Sequence, residues 1–348
     1  MGIVAPVPVA ADAPFLLACR RQPTPVVPVW FQRQAGRSLP EYRALRGEGS
    51  ILDSIRRPEL AVELTLQPVR RYGVDAAILF SDIVVPVAAI GFGVDVVPGT
   101  GPVVAKPFRG KEDLARLRTL EPELDVPYVI ETVQALAAQL DVPLIGLAGA
   151  PFTLASYLVE GGPSRTYART KALMHGEPAT WHSLLDALGG LAVAFLRTQV
   201  EAGAHAVQLF DSWAGALSPD DYAEHVLPAT RAVFEGLADL GVPRIYFGTG
   251  TAELLERMAS AGPEVVGVDW RVPLDRAWDR IGRDRAIQGN LDPEVCFAPW
   301  PVVAEHAQRV LDRAGGRPGH IFNLGHGVLP DTDPAVLERL VELVHARG

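Results

Sequence analysis

Arg33 and Arg37 stand four positions apart in WFQRQAGRSLPEY, with Gln34 and Gly36 between them. On a helix that spacing would put both guanidinium groups on one face; in a loop, Gly36 would let the chain fold back and aim both at one ligand. Either arrangement offers two planar forks to carboxylates or phosphates. A second stretch, FSDIVVP, has the same design with the opposite charge: the apolar run DAAILF ends at Ser81 and Asp82. Further along, HAVQLF ends at Asp211 and Ser212, FTLASYLVEGG carries Tyr157, and NLGHGV sets His326 between two glycines. Arginines, carboxylates, hydroxyls and an imidazole are the composition of an acid/base site around an anionic ligand. Glycine on both sides of His326 argues for backbone pressed close to a neighbour and against a packed core histidine.

Each of these residues has a structural use as well. Asp82, Asp211 and Ser212 are types that cap helices, an aromatic such as Tyr157 on a helical face more often packs a core, and most arginines are solvated. What favours a site is their common position, directly after an apolar run of strand type, where loops carry function. Those runs are VVPVWF, DAAILF, VPLIGLAG, HAVQLF, RIYFGT, VVGVDW, AIQGNL and HIFNLG, eight in all, separated by segments of helical period. Eight strands alternating with helices predict a single (β/α)8 TIM barrel of the α/β class, with the site at the C-terminal ends of the strands. A dinucleotide-binding open sheet is the alternative, but no GxGxxG follows the first strand. Residues 83–110 suit a long excursion with small hairpin strands and hence part of the site wall. SPDDYAEHVLPATRAVFEGLADLG predicts one helix capped by Ser218, and GPSRTYARTKALMHGEP a polar, broken connection.

Of the 348 residues, 48% are hydrophobic, and no low-complexity tract separates two halves. One domain over residues 1–348 is expected, with residues 1–14 a flexible arm leading into a short helix. A formal net charge of −9 argues against a nucleic-acid groove or an anionic membrane surface as partner. The apolar N-terminus lacks a basic n-region, and the apolar runs elsewhere stop short of a membrane span. Cys19 and Cys296 are too few and too distant for a disulfide framework, which points to a reducing cytoplasm. The eight histidines are scattered without HxH, HxC, HExxH or CxxC, and His175 and His182 lie in a polar connection, so no metal is expected.

Several long motifs, in order, resemble the uroporphyrinogen decarboxylase family over essentially the whole chain. They are RQAGR at 33–37 with LPEYR at 39–43, FSDI at 80–83, GAPFTLASYLVEGG at 149–162, LFDSWAG at 209–215, QGNLDP at 288–293 and FNLGHG at 322–327. The resemblance implies a (β/α)8 barrel acting as a homodimer in the cytoplasm, without metal or organic cofactor. It implies a carboxy-lyase that removes CO2 from the four acetate arms of uroporphyrinogen III, giving coproporphyrinogen III in tetrapyrrole (haem) biosynthesis. By the same resemblance Arg33 and Arg37 meet substrate carboxylates with Gln34 beside them, Asp82 faces the pyrrole nitrogens, and Tyr157, Ser212 and His326 complete the site. Two departures are visible: Gln32 where members often carry methionine, and Ser38 where tyrosine is usual.

The substrate chemistry gives these roles a mechanism. Protonating the ring carbon that bears an acetate arm is expected to create an iminium-like electron sink for the departing CO2. Asp82 stabilises the developing positive charge, and an arginine, water or His326 supplies the second proton. Two rival readings remain at this level: a cobamide or coenzyme M methyltransferase, which would need a thiolate-binding zinc, and a catalytically silent porphyrin-binding protein.

Overall fold

The computed structural model describes residues 9–347. Seven strands form one parallel sheet: β1 (Ala77–Ile78), β4 (Leu144–Gly149), β5 (Ala206–Asp211), β6 (Arg244–Gly248), β7 (Val265–Gly267), β8 (Ala286–Gln288) and β9 (His320–Ile321), paired in that order. Two further strands, β2 (Val94–Val97) and β3 (Gly101–Val104), make a separate antiparallel hairpin inside the excursion that follows β1. The sheet is strongly curled. Gln208 of β5 and Gln288 of β8 are not neighbours in the sheet, yet Gln288 Nε2 donates to Gln208 Oε1 at 3.0 Å, and Trp30 Nε1 donates to Gln288 Oε1 at 3.1 Å. All three side chains are buried, so these bonds cross the inner face.

The run VVPVWF, expected as the first strand, contributes a single parallel bridge between Val29 and Phe322. Proline explains the reduction: Pro25 and Pro28 have no N–H to extend a ladder. What remains still reaches both sheet edges. Phe322 N–H donates to the Pro28 carbonyl at 2.8 Å, while on the other flank Asp75 N–H donates to the Val29 carbonyl at 2.8 Å. The Asp75 carboxylate in turn accepts from Val29 N–H at 2.7 Å. The expected eight strands are thus seven and one short stave, in an α/β fold with a curled, open parallel sheet.

Two helical expectations need correction. The segment after Ser218 is two helices, Pro219–His225 and Leu227–Glu235, broken at Val226 (φ −126°, ψ −45°) because Pro228 cannot donate to the carbonyl one turn back. The stretch expected to be a broken connection contains the helix Ala168–Gly176. Its start is fixed from outside: the Thr170 N–H and hydroxyl both donate to Glu160 Oε1 at 2.9 Å. Pro178–Ala202 is long and apolar enough to cross a membrane by length and composition, contrary to the expectation for apolar runs. Here its apolar residues pack inward, and the fully buried Gln199 bonds both the N–H and the carbonyl of Leu147 on β4. Of the arm expected over residues 1–14, residues 1–8 lie outside the described residues; Ala10–Ala13 close a turn into the helix Pro14–Cys19.

Candidate active site

A cavity of about 710 Å³ opens at the C-terminal ends of the strands. Arg33, Arg37, Asp82, Tyr157, Ser212 and His326 all line it, although they come from five different segments. Strand geometry brings them together, because parallel strands deliver their following loops to one end of the sheet. The β2–β3 hairpin forms part of the wall from Val96 to Pro102, as the length of that excursion suggested.

Arg33 and Arg37 are exposed toward the opening, and among the described residues neither guanidinium has a carboxylate within 4.0 Å. Arg33 holds a left-handed backbone conformation (φ 58°), which turns its side chain back over the last loop. There Gly327 makes the space: a Cβ added at 327 would stand 2.4 Å from Arg33 Cδ. Gly325, on the other side of His326, is pressed against the next wall, where an added Cβ would meet Trp270 N at 2.4 Å. The two glycines flanking His326 therefore mark two close approaches, as their placement implied.

Asp82 is half-buried, and its Oδ1 accepts from the Val84 N–H at 3.0 Å. That bond closes a turn ahead of the helix Val85–Ala89, which has no side-chain cap, and the residue also lines the cavity. Burial lifts its carboxyl above the ordinary value, opposed by the N–H groups of Val84 and Ile83 and by the Arg33 charge. Burial, then the positive charge of Arg33, pushes the His326 imidazole down to about 4, so it is neutral at pH 7. The Tyr157 phenol is raised by burial and by Asp82 and stays protonated at neutral pH. Its ring lies 3.8 Å (centroid to centroid) from that of Trp213, which packs in turn against Tyr167 at 5.0 Å.

Gln34 is not brought to the cavity. It is fully buried, with Oε1 accepting from Phe31 N–H and Nε2 donating to the Ala76 carbonyl, so it ties the arginine loop to β1. Asp211 is likewise buried behind the wall, accepting from Thr153 Oγ1 and from Tyr246 OH at 2.7 Å each. Thr153 Oγ1 then accepts from Trp213 N–H at 3.2 Å, which positions that aromatic wall. Asp269 and Asn290, at the ends of β7 and β8, are also spent on the protein. Asp269 accepts from Arg271, and Asn290 Nδ2 donates to the carbonyls of Asp269 and Val272.

Sequence reasoning passed over Gln32, noted only as a departure. It lines the cavity at 3% exposure, and its Nε2 has no hydrogen-bond partner among the described residues. Its backbone is held rigidly, N–H to Asn323 Oδ1 at 3.1 Å and carbonyl to Val328 N–H at 2.8 Å. A buried amide without a partner is the signature of a group that meets a ligand, and only the folded surroundings reveal it. Ser81 Oγ, also on the wall, is buried and unpartnered in the same way. Tyr42 and Arg46 complete that side of the opening; the helix Pro40–Arg46 delivers both, but nothing in its sequence distinguishes them from packing and surface residues.

Fold and cavity together define an α/β protein with a curled parallel sheet whose C-terminal face carries unpaired arginines around a desolvated aspartate. Residues 10–347 match the family model "Uroporphyrinogen decarboxylase (URO-D)", and the chain belongs to that family. It is 62% identical to the uroporphyrinogen decarboxylase of Salinispora tropica over 96% of this chain and 90% of that protein. Identity to the Streptomyces coelicolor uroporphyrinogen decarboxylase is also 62%, over 97% of this chain and 95% of that one. Among solved structures, a methyltransferase from Methanosarcina mazei superposes with a TM-score of 0.80 over 97% of this chain and 98% of its own, at 19% identity, a likeness of fold alone.

Proposed function

We propose that the cavity binds uroporphyrinogen and removes its four acetate carboxyls as CO2, giving coproporphyrinogen, without a metal or organic cofactor. The observation that carries this reading is one cavity that holds a desolvated carboxylate and two guanidinium groups with no carboxylate within 4.0 Å among the described residues. Two exposed forks beside a desolvated carboxylate suit a ligand that brings both carboxylates and N–H donors. Arg33 and Arg37 hold substrate carboxylates as forks, and Asp82 accepts from the pyrrole N–H groups. Tyr157 and Ser212 offer hydroxyls to the rim of the macrocycle.

The first proton cannot go to the carbon bearing the acetate arm, as first expected, because that carbon would become tetrahedral and insulate the arm from the ring nitrogen. It adds to the neighbouring α-carbon. The resulting C=N⁺ is then conjugated with the carbon carrying the arm. The C–C bond to the carboxylate breaks, its electron pair neutralises the iminium, and an exocyclic methylene forms as CO2 leaves. A proton delivered to that methylene and loss of the added α-proton give the methyl group. Asp82, ionised, stabilises the iminium electrostatically. His326, neutral at pH 7, offers an N–H or a lone pair but no ready positive charge, so the proton comes from water or from a guanidinium desolvated by the bound macrocycle.

Cavity and sheet act as an eight-stave barrel with the Val29 stave completing the ring, in a cytoplasmic homodimer. The test is incubation of the purified chain with uroporphyrinogen III under anaerobic, reducing conditions after exhaustive chelation, with product mass recorded over time. Stepwise loss of four carboxyls is expected. Unchanged substrate, or turnover restored only by a metal, overturns the reading.

A further inference from the structure

The histidines that look scattered in the sequence are gathered at one place outside the cavity. His175 ends the helix Ala168–Gly176, and His225 ends the helix Pro219–His225, which also carries Asp221 one turn earlier. Ligand atoms of His175, Asp221 and His225 lie within 4.8 Å of one another. Asp221 and His225 are four apart on one helix and so share a face. His175 Nε2 approaches Asp221 Oδ1 at 3.6 Å.

His225 is 8% exposed, its Nδ1 is buried without a partner among the described residues, and its Nε2 comes no nearer than 3.8 Å to Glu224, beyond hydrogen-bond range. Its backbone is fixed, since its carbonyl accepts from the indole N–H of the fully buried Trp181 at 3.0 Å. Both histidines sit in the last turn of a helix, where the end of the dipole favours a cation. We propose that His175, Asp221 and His225 form a binding site for a divalent transition metal of zinc-like chemistry, with water or the adjacent His182 completing a tetrahedron.

Two imidazoles and one carboxylate are a zinc-type donor set, with ligand atoms about 3.3 Å apart around the ion. The site closes to that size by rotation of His175, whose side chain is 51% exposed. None of the three residues lines the cavity. Their helices nevertheless flank its aromatic wall. The residue capping Ala168–Gly176 is Tyr167, which packs on Trp213, and Lys171 of that helix donates to the Ala216 carbonyl. The helix bearing Asp221 and His225 leaves the same loop at Ser218. A bound ion staples both helices and braces the loop carrying Trp213, without taking part in the decarboxylation.

The test is titration of the full, metal-stripped chain with Zn²⁺ by calorimetry and with Co²⁺ by visible absorption, alongside thermal unfolding with and without Zn²⁺. Wild type should bind one ion per chain, show the strong visible bands of tetrahedral Co²⁺, and unfold at higher temperature with Zn²⁺. His175→Ala changes an exposed residue and keeps the fold, so it should bind at least about tenfold more weakly and lose the thermal shift. Asp221→Asn should behave likewise. Failure of the wild type to bind near one equivalent, or equal binding by both variants, overturns the proposal.

Discussion

The strand ends of this sheet deliver polar residues all the way round, yet its two halves use them differently. On one side, formed by the arginine loop and the segment after β1, Arg33, Arg37, Asp82 and Gln32 reach the cavity with charges or amides that the protein leaves largely unmatched. On the other, Asp269 and Asn290 after β7 and β8 are consumed by Arg271, Gly250 and backbone carbonyls. Asp211, at the end of β5, belongs with the consumed group: Thr153 and Tyr246 take both of its oxygens. Position at a strand end therefore does not make a residue functional. What counts is lining the cavity with a polar group that the protein leaves unpaired, because a paired group is already satisfied and an unpaired one at the cavity can meet a ligand.

The two glycines around His326 sit on the boundary and separate the halves most sharply. Gly325→Ala drives a methyl into the Trp270 and Asp269 backbone, which cannot yield, and should cost about 3 kcal/mol of stability in urea unfolding. Gly327→Ala meets only the flexible stem of Arg33. It should leave unfolding nearly unchanged while lowering kcat/KM by displacing that guanidinium. Equal stability losses in both would erase the distinction.

Acid adds a contrast from a buried group away from the cavity. His320 is buried on β9 with Nε2 against the Gly289 carbonyl at 2.9 Å, and burial pushes its imidazole down to about 4. The unfolded chain, near the ordinary 6.5, takes the proton first. Stability present above pH 6.5 is therefore lost as the pH falls through about 4. From pH 7 to 5 this group alone should remove about 2 kcal/mol, and His320→Gln should lose correspondingly less in chemical unfolding at the two pH values.

On the open side, Arg37→Lys keeps the charge but loses the fork. A fall in kcat/KM worth about 2 kcal/mol is expected, with kinetics followed across a salt series. Wild-type values throughout would place Arg37 among solvated surface arginines. Gln32→Met removes the orphaned amide and should raise KM several-fold, about 1 kcal/mol, while stability holds or improves because a buried unpaired donor is gone. A stability loss with unchanged KM would make Gln32 a wall residue only.

Much of this arrangement was legible in the sequence, and for a physical reason. Arg33, Asp82, Ser212 and His326 follow apolar runs, so placing the strands placed them. The rest depended on partners remote in the chain. Gln34 turns inward because Phe31 and Ala76 receive it, and Asp211 withdraws because Tyr246 and Thr153 do, neither of which the local pattern announces. The first strand shrank to one bridge because Pro25 and Pro28 outweigh its apolar content, a signal that was present but underread. The helix Ala168–Gly176 has no amphipathic stripe to reveal it and is anchored by Glu160 instead. It also brings His175 to His225, which no spacing rule could show.

The central claim is that the desolvated, open carboxylate of Asp82 stabilises positive charge on the pyrrole as CO2 leaves. Its most direct test is the steady-state decarboxylation of uroporphyrinogen by folded Asp82→Asn, with binding measured separately and Asp82→Glu as the companion that keeps the charge but moves it. The account predicts kcat for Asp82→Asn lower by at least about tenfold, roughly 1.4 kcal/mol of transition-state stabilisation per decade, with partial recovery in the glutamate variant. Unchanged kcat and kcat/KM in Asp82→Asn would contradict it, and would leave Asp82 as nothing more than the acceptor of the Val84 N–H.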